Sequence, residues 1–229
     1  MSNEEFGIKE IRANRFVLED ENGKTRAMLW VNKDTPGLSL YDKNGEQRAW
    51  LSVGNDNAGL GLYDGKGKPL VMLWVDEDGP QLVLSDENGQ KRASLSVGKE
   101  GTMLTLFNEN GETSADLVEI KSEPGLSLYD KNGEERASLL ALKDGPSLEL
   151  KDEDGQSALL VCFKSKGTGL ELRDENGNLR VGLLCPKDNA AVLGLGDENV
   201  RTRAVIGVVE EGPGITLHDE NGEKIWSAL

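Results

Sequence analysis

Histidine, cysteine, proline and aromatic residues are all scarce in this 229-residue chain, which holds one His, two Cys, seven Pro and 5% Phe, Trp and Tyr. The single histidine, His218, cannot build a usual zinc site with two scattered cysteines. It also forms no readable nucleophile-and-base order with any serine or cysteine, so a non-enzymatic role is expected, without metal or cofactor. Cys162 and Cys185 lie 23 residues apart and are too few for a disulfide framework, so both are expected as reduced thiols in or near the core. No apolar run is long enough to cross a bilayer, and the opening MSNEEFGIKEIRANRF lacks the apolar stretch of a signal peptide. The expectation is a soluble cytoplasmic monomer with no integral membrane segment. Positive charge is short as well: 26 Lys and Arg against 41 Asp and Glu give a net charge of -15. That balance repels phosphate backbones and anionic membrane surfaces, so nucleic acid is not an expected partner. The excess acid reads as a solvated surface that keeps a strand-rich chain soluble.

What the chain does contain is a period. A turn that reads Asp-x-Asn-Gly or a close variant recurs at Asn22, Asn44, Lys66, Asn88, Asn110, Asn132, Asp154, Asn176, Asn199 and Asn221. The spacing is 22 residues throughout, apart from one interval of 23 between Asn176 and Asn199. One supersecondary unit repeated ten times accounts for this, and the reading is a single repeat domain over 15–229 preceded by an N-terminal segment, 1–14.

Each unit reads as a β-hairpin. In the second, Leu38 and Leu40 alternate with Ser39 and Tyr41 before Asn44-Gly45, and Ala49, Leu51 and Val53 alternate with Trp50 and Ser52 after it. A two-residue turn at Asn44-Gly45 sets Leu40 opposite Ala49, Leu38 opposite Leu51 and Tyr41 opposite Arg48, with all apolar residues on one face. A three-residue loop with a glycine bulge sets Leu40 opposite Arg48 and mixes the faces, so a type I′ turn, or a four-residue loop of the same register, is expected. Three repeats replace Asn-Gly, with Lys66-Gly67, Asp154-Gly155 and Asn199-Val200, and their tips are expected to differ locally.

The apolar columns run through all ten units. Two of them supply the expected lining of a central channel: Leu38, Leu60, Leu82, Leu104, Leu126, Leu148, Leu170 and Leu193 on first strands, and Leu51, Leu73, Leu95, Leu117, Leu139 and Leu183 on second strands. A lone hairpin with one apolar face is unstable in water, so the units must bury that face against one another. Short links such as Asp78-Gly79-Pro80 leave no room for a crossover helix, which makes sequential units spatial neighbours. Closing the hairpins around an axis removes exposed sheet edges. The alternative is a parallel β-solenoid of 22-residue rungs, although such rungs rarely carry an Asn-Gly reversal at their middle.

The segment Arg-Phe-Val-Leu-Glu-Asp-Glu-Asn-Gly-Lys-Thr-Arg-Ala-Met-Leu-Trp-Val (Arg15 to Val31), followed by reiterated Gly-Leu-Ser-Leu-Tyr-Asp-Lys-Asn-Gly-Glu-x-Arg-Ala, resembles the bacterial β-flower family. The resemblance covers about residues 15–229. It implies hairpin petals around a shallow barrel with an apolar central channel, distantly similar to the tubby C-terminal domain, and hence an apolar small molecule or lipid as ligand. The sequence departs from the tubby pattern in having no basic phosphoinositide pocket.

Other columns weigh toward structure. The acidic turns lack the bidentate Glu and flanking helices of a calcium loop and read as turn chemistry. Arg26, Arg48, Arg92, Arg136, Arg180 and Arg203 read as cross-strand partners of Glu19, Tyr41, Ser85, Tyr129, Arg173 and Gly196 on the outer face, in preference to an anion-binding ring. Trp30, Trp50 and Trp74, with Met28 and Met72, form an apolar patch on that outer face, confined to the first three repeats. It is expected to cover Phe6, Ile8 and Ile11 of the N-terminal segment. Its functional rival is a contact surface for assembly or for a ligand.

Overall fold

A computed structural model describes residues 10–143, 145–164, 167–186, 190–209 and 212–228, without the side chains of residues 162–164 and 209. The described residues form strands and turns and no helix. They gather into two compact units, Met1–Lys99 and Glu100–Leu229. The division falls in Gly98-Lys99-Glu100-Gly101, a link whose composition does not differ from the others, so the repeat carries no mark of it.

The first unit holds β1 (Arg15–Glu19), β2 (Thr25–Asn32), β3 (Thr35–Tyr41), β4 (Gln47–Val53), β5 (Ala58–Tyr63), β6 (Pro69–Asp76), β7 (Gly79–Ser85) and β8 (Lys91–Gly98). The second holds β9 (Gly101–Phe107), β10 (Thr113–Ile120), β11 (Glu123–Tyr129), β12 (Glu135–Leu142), β13 (Gly145–Lys151), β14 (Ser157–Lys164), β15 (Gly167–Arg173), β16 (Leu179–Pro186), β17 (Ala191–Gly196), β18 (Thr202–Val209), β19 (Gly212–His218) and β20 (Lys224–Ala228). Within each unit every strand pairs with its chain neighbour and every pairing is antiparallel. A parallel solenoid is thereby removed. Each unit is a meander, and its sheet is not closed on itself.

Register follows the Leu pattern. In the first unit an unbroken row, Phe16, Leu29, Leu38, Leu51, Leu60, Leu73, Leu82 and Leu95, crosses all eight strands as direct partners. In the second the row runs Leu104, Leu117, Leu126, Leu139, Leu148, Val161, Leu170, Leu183, Leu193, Ile206, Ile215 and Ala228. Beside it, residues such as Leu40 and Ala49 alternate large and small along a second row, so side chains of neighbouring strands interdigitate.

The loop differs from the expected type I′ turn. In all ten hairpins the residue two before the turn position, Asp or Asn108, accepts the N–H of the residue three on and donates its own N–H to the carbonyl four on, as in Gly45 N to Asp42 O (3.0 Å) and Asp42 N to Glu46 O (2.9 Å). That is a type I turn closed by a left-handed residue, the three-residue loop with a glycine bulge. Gly45 has φ 90°, and its Asp fixes the turn by accepting two backbone N–H groups on Oδ1, from Asn44 (2.8 Å) and Glu46 (3.1 Å). The register that such a loop should spoil is restored by a second irregularity. Tyr41 pairs with Gln47 while Leu40 pairs with Ala49, so Arg48 is an extra, bulged residue and the apolar parity survives. Lys66-Gly67, Asp154-Gly155 and Asn199-Val200 form the same loop as the rest, contrary to expectation. The two-residue reversal with both residues at positive φ occurs instead at a link, Lys121-Ser122.

No large apolar side chain among the described residues is fully buried. The buried positions among the described residues are Gly37, Ser39, Gly61, Thr105, Gly125, Ser138, Gly169 and Gly182. By strand parity all eight lie on the face opposite the Leu rows. They are buried because larger neighbours lie across them: Trp30 over Gly37, Trp50 over Gly61, Leu140 and Val118 over Gly125.

Candidate functional site

The fourteen leucines expected to line a channel share one face within their unit. Leu38, Leu51, Leu73, Leu95, Leu104, Leu117, Leu126, Leu139, Leu148 and Leu183 are between 36% and 53% exposed, and Leu60, Leu82, Leu170 and Leu193 are half-buried. This face is accessible and almost wholly apolar. In the second unit it curves into a concavity of about 440 Å3 across β16 to β20, lined by Leu183, Ala191, Leu193, Ile206, Val208 and Ile215, with Pro213 and Ala228 at its rim and every lining residue apolar or glycine. Of the expected lining only Leu183 and Leu193 reach it. Ala191, Val208 and Pro213 were missed, although they continue the same parity one step further along their strands.

Cys185 is free and exposed rather than near a core, because its parity places it with Leu183 on the apolar face. The Cys162 side chain lies outside the described residues.

On the opposite face, the arginine column proves to be the bulge residues. Its partners are therefore not those expected: Tyr41 lies opposite Gln47, Tyr129 opposite Glu135 and Gly196 opposite Thr202. The bulge turns the guanidinium groups of Arg48, Arg136, Arg180 and Arg203 along the sheet. Arg136 donates to Asp130 Oδ2 of its own turn (2.7 Å from one nitrogen, 2.9 Å from Nε) and to the carbonyls of Asp152 and Glu153 in the next hairpin. Arg48 reaches Tyr63 O (2.9 Å), Arg180 reaches Gly196 O (3.1 Å) and Arg203 reaches His218 O (3.1 Å) in the same way. These groups staple one hairpin to its successor. With donors spent on carbonyls and on turn carboxylates they do not form an anion ring.

Several of the turn carboxylates are correspondingly acidic. Asp130 lies below the usual carboxylate range because Arg136 and the Asn132 N–H donate to it. Asp64 and Asp219 do so through backbone N–H groups, Lys68 and Lys66 for the first, Glu223 and Asn221 for the second. Their oxygens already accept hydrogen bonds inside the loop, and no group of three or more metal-ligating side chains occurs among the described residues.

One polar network crosses β10 to β13. Glu135 accepts from Lys151 Nζ (2.7 Å) and Ser127 Oγ (2.8 Å), and Tyr129 OH donates to Asp116 Oδ2 (3.2 Å). The hydrogen bond to Lys151 lowers the Glu135 pKa and raises that of Lys151, and burial pushes the Tyr129 phenol up. The pair stays ionised at neutral pH, so Lys151 is no free-amine nucleophile and Glu135 no proton donor. His218 sits on this face, opposite Lys224, with Nδ1 buried and unpaired among the described residues.

Trp30, Trp50 and Trp74 also stand on this face, in the first unit. Each indole N–H is held: by Ser39 Oγ (3.1 Å), by Tyr63 OH, and by Asp76 Oδ2 (3.1 Å). Of the residues expected to cover them, only Ile11 lies among those described. Ile11 is 77% exposed, and Phe6 and Ile8 lie outside the described residues.

No helix of the described residues is long and apolar enough to cross a membrane. No family model matches the chain. No curated protein matches it either. Among solved structures it is similar to the crystal structure of TcdB2-TccC3-TEV, at 11% identity and a TM-score of 0.24, over 90% of this chain and 12% of that one. The crystal structure of TcdB2-TccC3-Cdc42 gives 11% identity and a TM-score of 0.23, over 93% of this chain and 13% of that one. The chain spans about an eighth of the length of these two chains.

Proposed function

We propose that the protein is a non-enzymatic binding module whose Leu face takes an apolar ligand, a long acyl chain being the chemistry that fits. The supporting observation is the concavity across β16 to β20, whose lining residues are all apolar or glycine. Pockets that fix a ligand's orientation carry a few convergent polar groups, and this one offers none, so it selects for apolarity and shape alone. An exposed apolar surface of several hundred square ångströms is uncommon on a protein that has no use for it. The flower-like closure implied by the family resemblance would make the same face the wall of a central channel.

Native mass spectrometry of protein purified from cells, followed by titration with a fluorescent long-chain fatty acid, tests this. Retained lipid-sized mass and saturable binding are expected, with a loss of tenfold or more in Ile206→Glu, which puts a charge in the concavity. Absence of both retained mass and binding, or binding that Ile206→Glu leaves unchanged, overturns the assignment.

A further inference from the structure

The tryptophan face of the first unit has the construction of a stacking platform. Trp30 packs on Gly37, where an added Cβ would come within 2.3 Å of its ring, and Trp50 packs on Gly59 and Gly61, with an added Cβ at Gly59 only 2.8 Å from the ring. The three indole N–H bonds to Ser39, Tyr63 and Asp76 fix each ring's rotation. All three residues remain partly exposed.

Architecture does not require these residues. Trp30, Trp50 and Trp74 of the first unit correspond to Val118, Ser138 and Cys162 of the second, which occupy the same hairpin positions with the same register. The rings, the hydrogen bonds around them, and Gly59 and Gly61, whose counterparts are Ser147 and Glu149, are a local addition to one part of a uniform repeat, while Gly37 keeps its counterpart in Gly125.

The spacing is regular. The three residues stand on β2, β4 and β6, two strand spacings or roughly 10 Å apart across the sheet, with Trp50 offset by two residues or about 7 Å along it. Successive rings therefore fall within the reach of an extended oligosaccharide of two or three pyranose units. Between and around them lie polar side chains. Gln81 is the direct partner of Trp74, and Ser52 and Ser96 stand in the same row. At one end Trp30 forms the wall of a hollow of about 410 Å3 with Asn32, Lys33, Asp34, Thr35 and Asn55. Among the described residues the side-chain amides of Asn32 and Asn55 make no hydrogen bond, which leaves both free to donate and accept.

We infer that this face binds a neutral polysaccharide of the extended, β-1,4-linked type, its pyranose rings stacking on Trp30, Trp50 and Trp74 and its hydroxyls meeting Asn32, Asp34 and Asn55. The C–H face of a pyranose is apolar and matches the electron-rich face of an indole, while its equatorial hydroxyls need the mixed donors and acceptors that rim the hollow. Met28 and Met72 flank Trp50 in its row, while the row of Trp30 and Trp74 carries Gly37, Ser52, Gly59 and Gln81, so the rings stand apart with hydroxyl and amide groups beside them. An anionic polysaccharide is disfavoured by the net charge of -15.

The test uses the full chain in native gels cast with hydroxyethylcellulose, glucomannan or xylan, and a titration of tryptophan emission with cellohexaose in a Trp226→Phe background. That substitution removes the one tryptophan outside the patch. Retardation in at least one of the gels and saturable quenching by the oligosaccharide are expected. Trp50→Ala should weaken association tenfold or more, and Trp50→Phe, which keeps a ring, by less. Circular dichroism of each variant separates lost binding from lost fold, and Ile206→Glu on the apolar face should leave glycan binding unchanged. No retardation by any of the three polymers together with unmoved emission overturns the inference. So does retardation that Ala at positions 30, 50 and 74 leaves intact. A red shift of emission on deleting residues 1–9, without glycan binding, would assign the face to the N-terminal segment and equally overturn it.

Discussion

Val200 occupies the loop position at which nine of the ten hairpins have glycine, and it does so with φ of 63°. A β-branched residue held in the left-handed region costs about 1–2 kcal/mol. Substitution by glycine removes that strain but loosens the unfolded chain, which costs about 0.5–1 kcal/mol in return. Packing contributes little to the balance because the Val200 side chain is 55% exposed. The difference favours Val200→Gly by about 0.5–1 kcal/mol, or a rise in Tm of about 2–4 °C for a folding unit of this size. Calorimetry and urea unfolding at neutral pH should show the same sign, with an unchanged m-value. A fall in Tm would mean that Val200 is not strained, and that the ninth hairpin does not close by the hydrogen bonds from Val200 N to Asp197 O and from Asp197 N to Arg201 O.

Gly133→Ala is the converse case: φ is 79° and an added Cβ would meet nothing within 4 Å, so the cost is conformational alone, about 1 kcal/mol by urea midpoint, and no cost would remove the left-handed assignment. Leu139→Ala should cost only about 1 kcal/mol, since the three lost carbons are worth about 0.8 kcal/mol each when buried and the side chain is 52% exposed with no cavity to leave behind. A loss above about 3 kcal/mol would place Leu139 in a closed interior. The depressed pKa values of Asp64, Asp130 and Asp219 give a stability that is complete above the unfolded carboxylate range and is lost as pH falls through the lower folded values. Tm should therefore be level from pH 7 to 5 and decline below about pH 4, and a Tm unchanged down to pH 3 would refute the linkage.

The 22-residue period, the strands and the division of side chains between two faces were legible because strand parity is written directly in residue type. Leu38 pairs with Leu51 and Leu40 with Ala49 as alternation requires. The loop was not legible from Asn44-Gly45 alone, since that dipeptide suits both a type I′ turn and a type I turn with a left-handed glycine. The deciding signal was Asp42, whose carboxylate caps two N–H groups only in the second arrangement. A two-residue loop needs no bulge and sets Arg48 opposite Tyr41, which hides the reach of its guanidinium to Tyr63 O. Nor does alternation reveal which face is covered. It separates Leu38 from Ser39 but does not say that Ser39, at 4% exposure, is the buried one.

That last inversion bears on how the chain is held together. Ordinary domains gain most of their stability by burying large side chains between layers, and here the residues buried are glycines, serines and a threonine beneath their neighbours on one layer. Stability must then come from within the layer: cross-strand pairs along the Leu rows, each worth about 0.2–1 kcal/mol, two backbone hydrogen bonds and two Asp or Asn side-chain caps at every turn, and arginine staples from one hairpin to the next. All of these join a hairpin to itself or to its successor, so the repeat adds up as nearest-neighbour terms do in a solenoid. A sheet stabilised in that way does not need either face to be covered in order to fold. The small residues on one face let aromatic rings lie flat, and the uncovered leucines on the other leave apolar area whose burial still yields free energy. In a layer so built, binding energy at both faces remains available to whatever covers them.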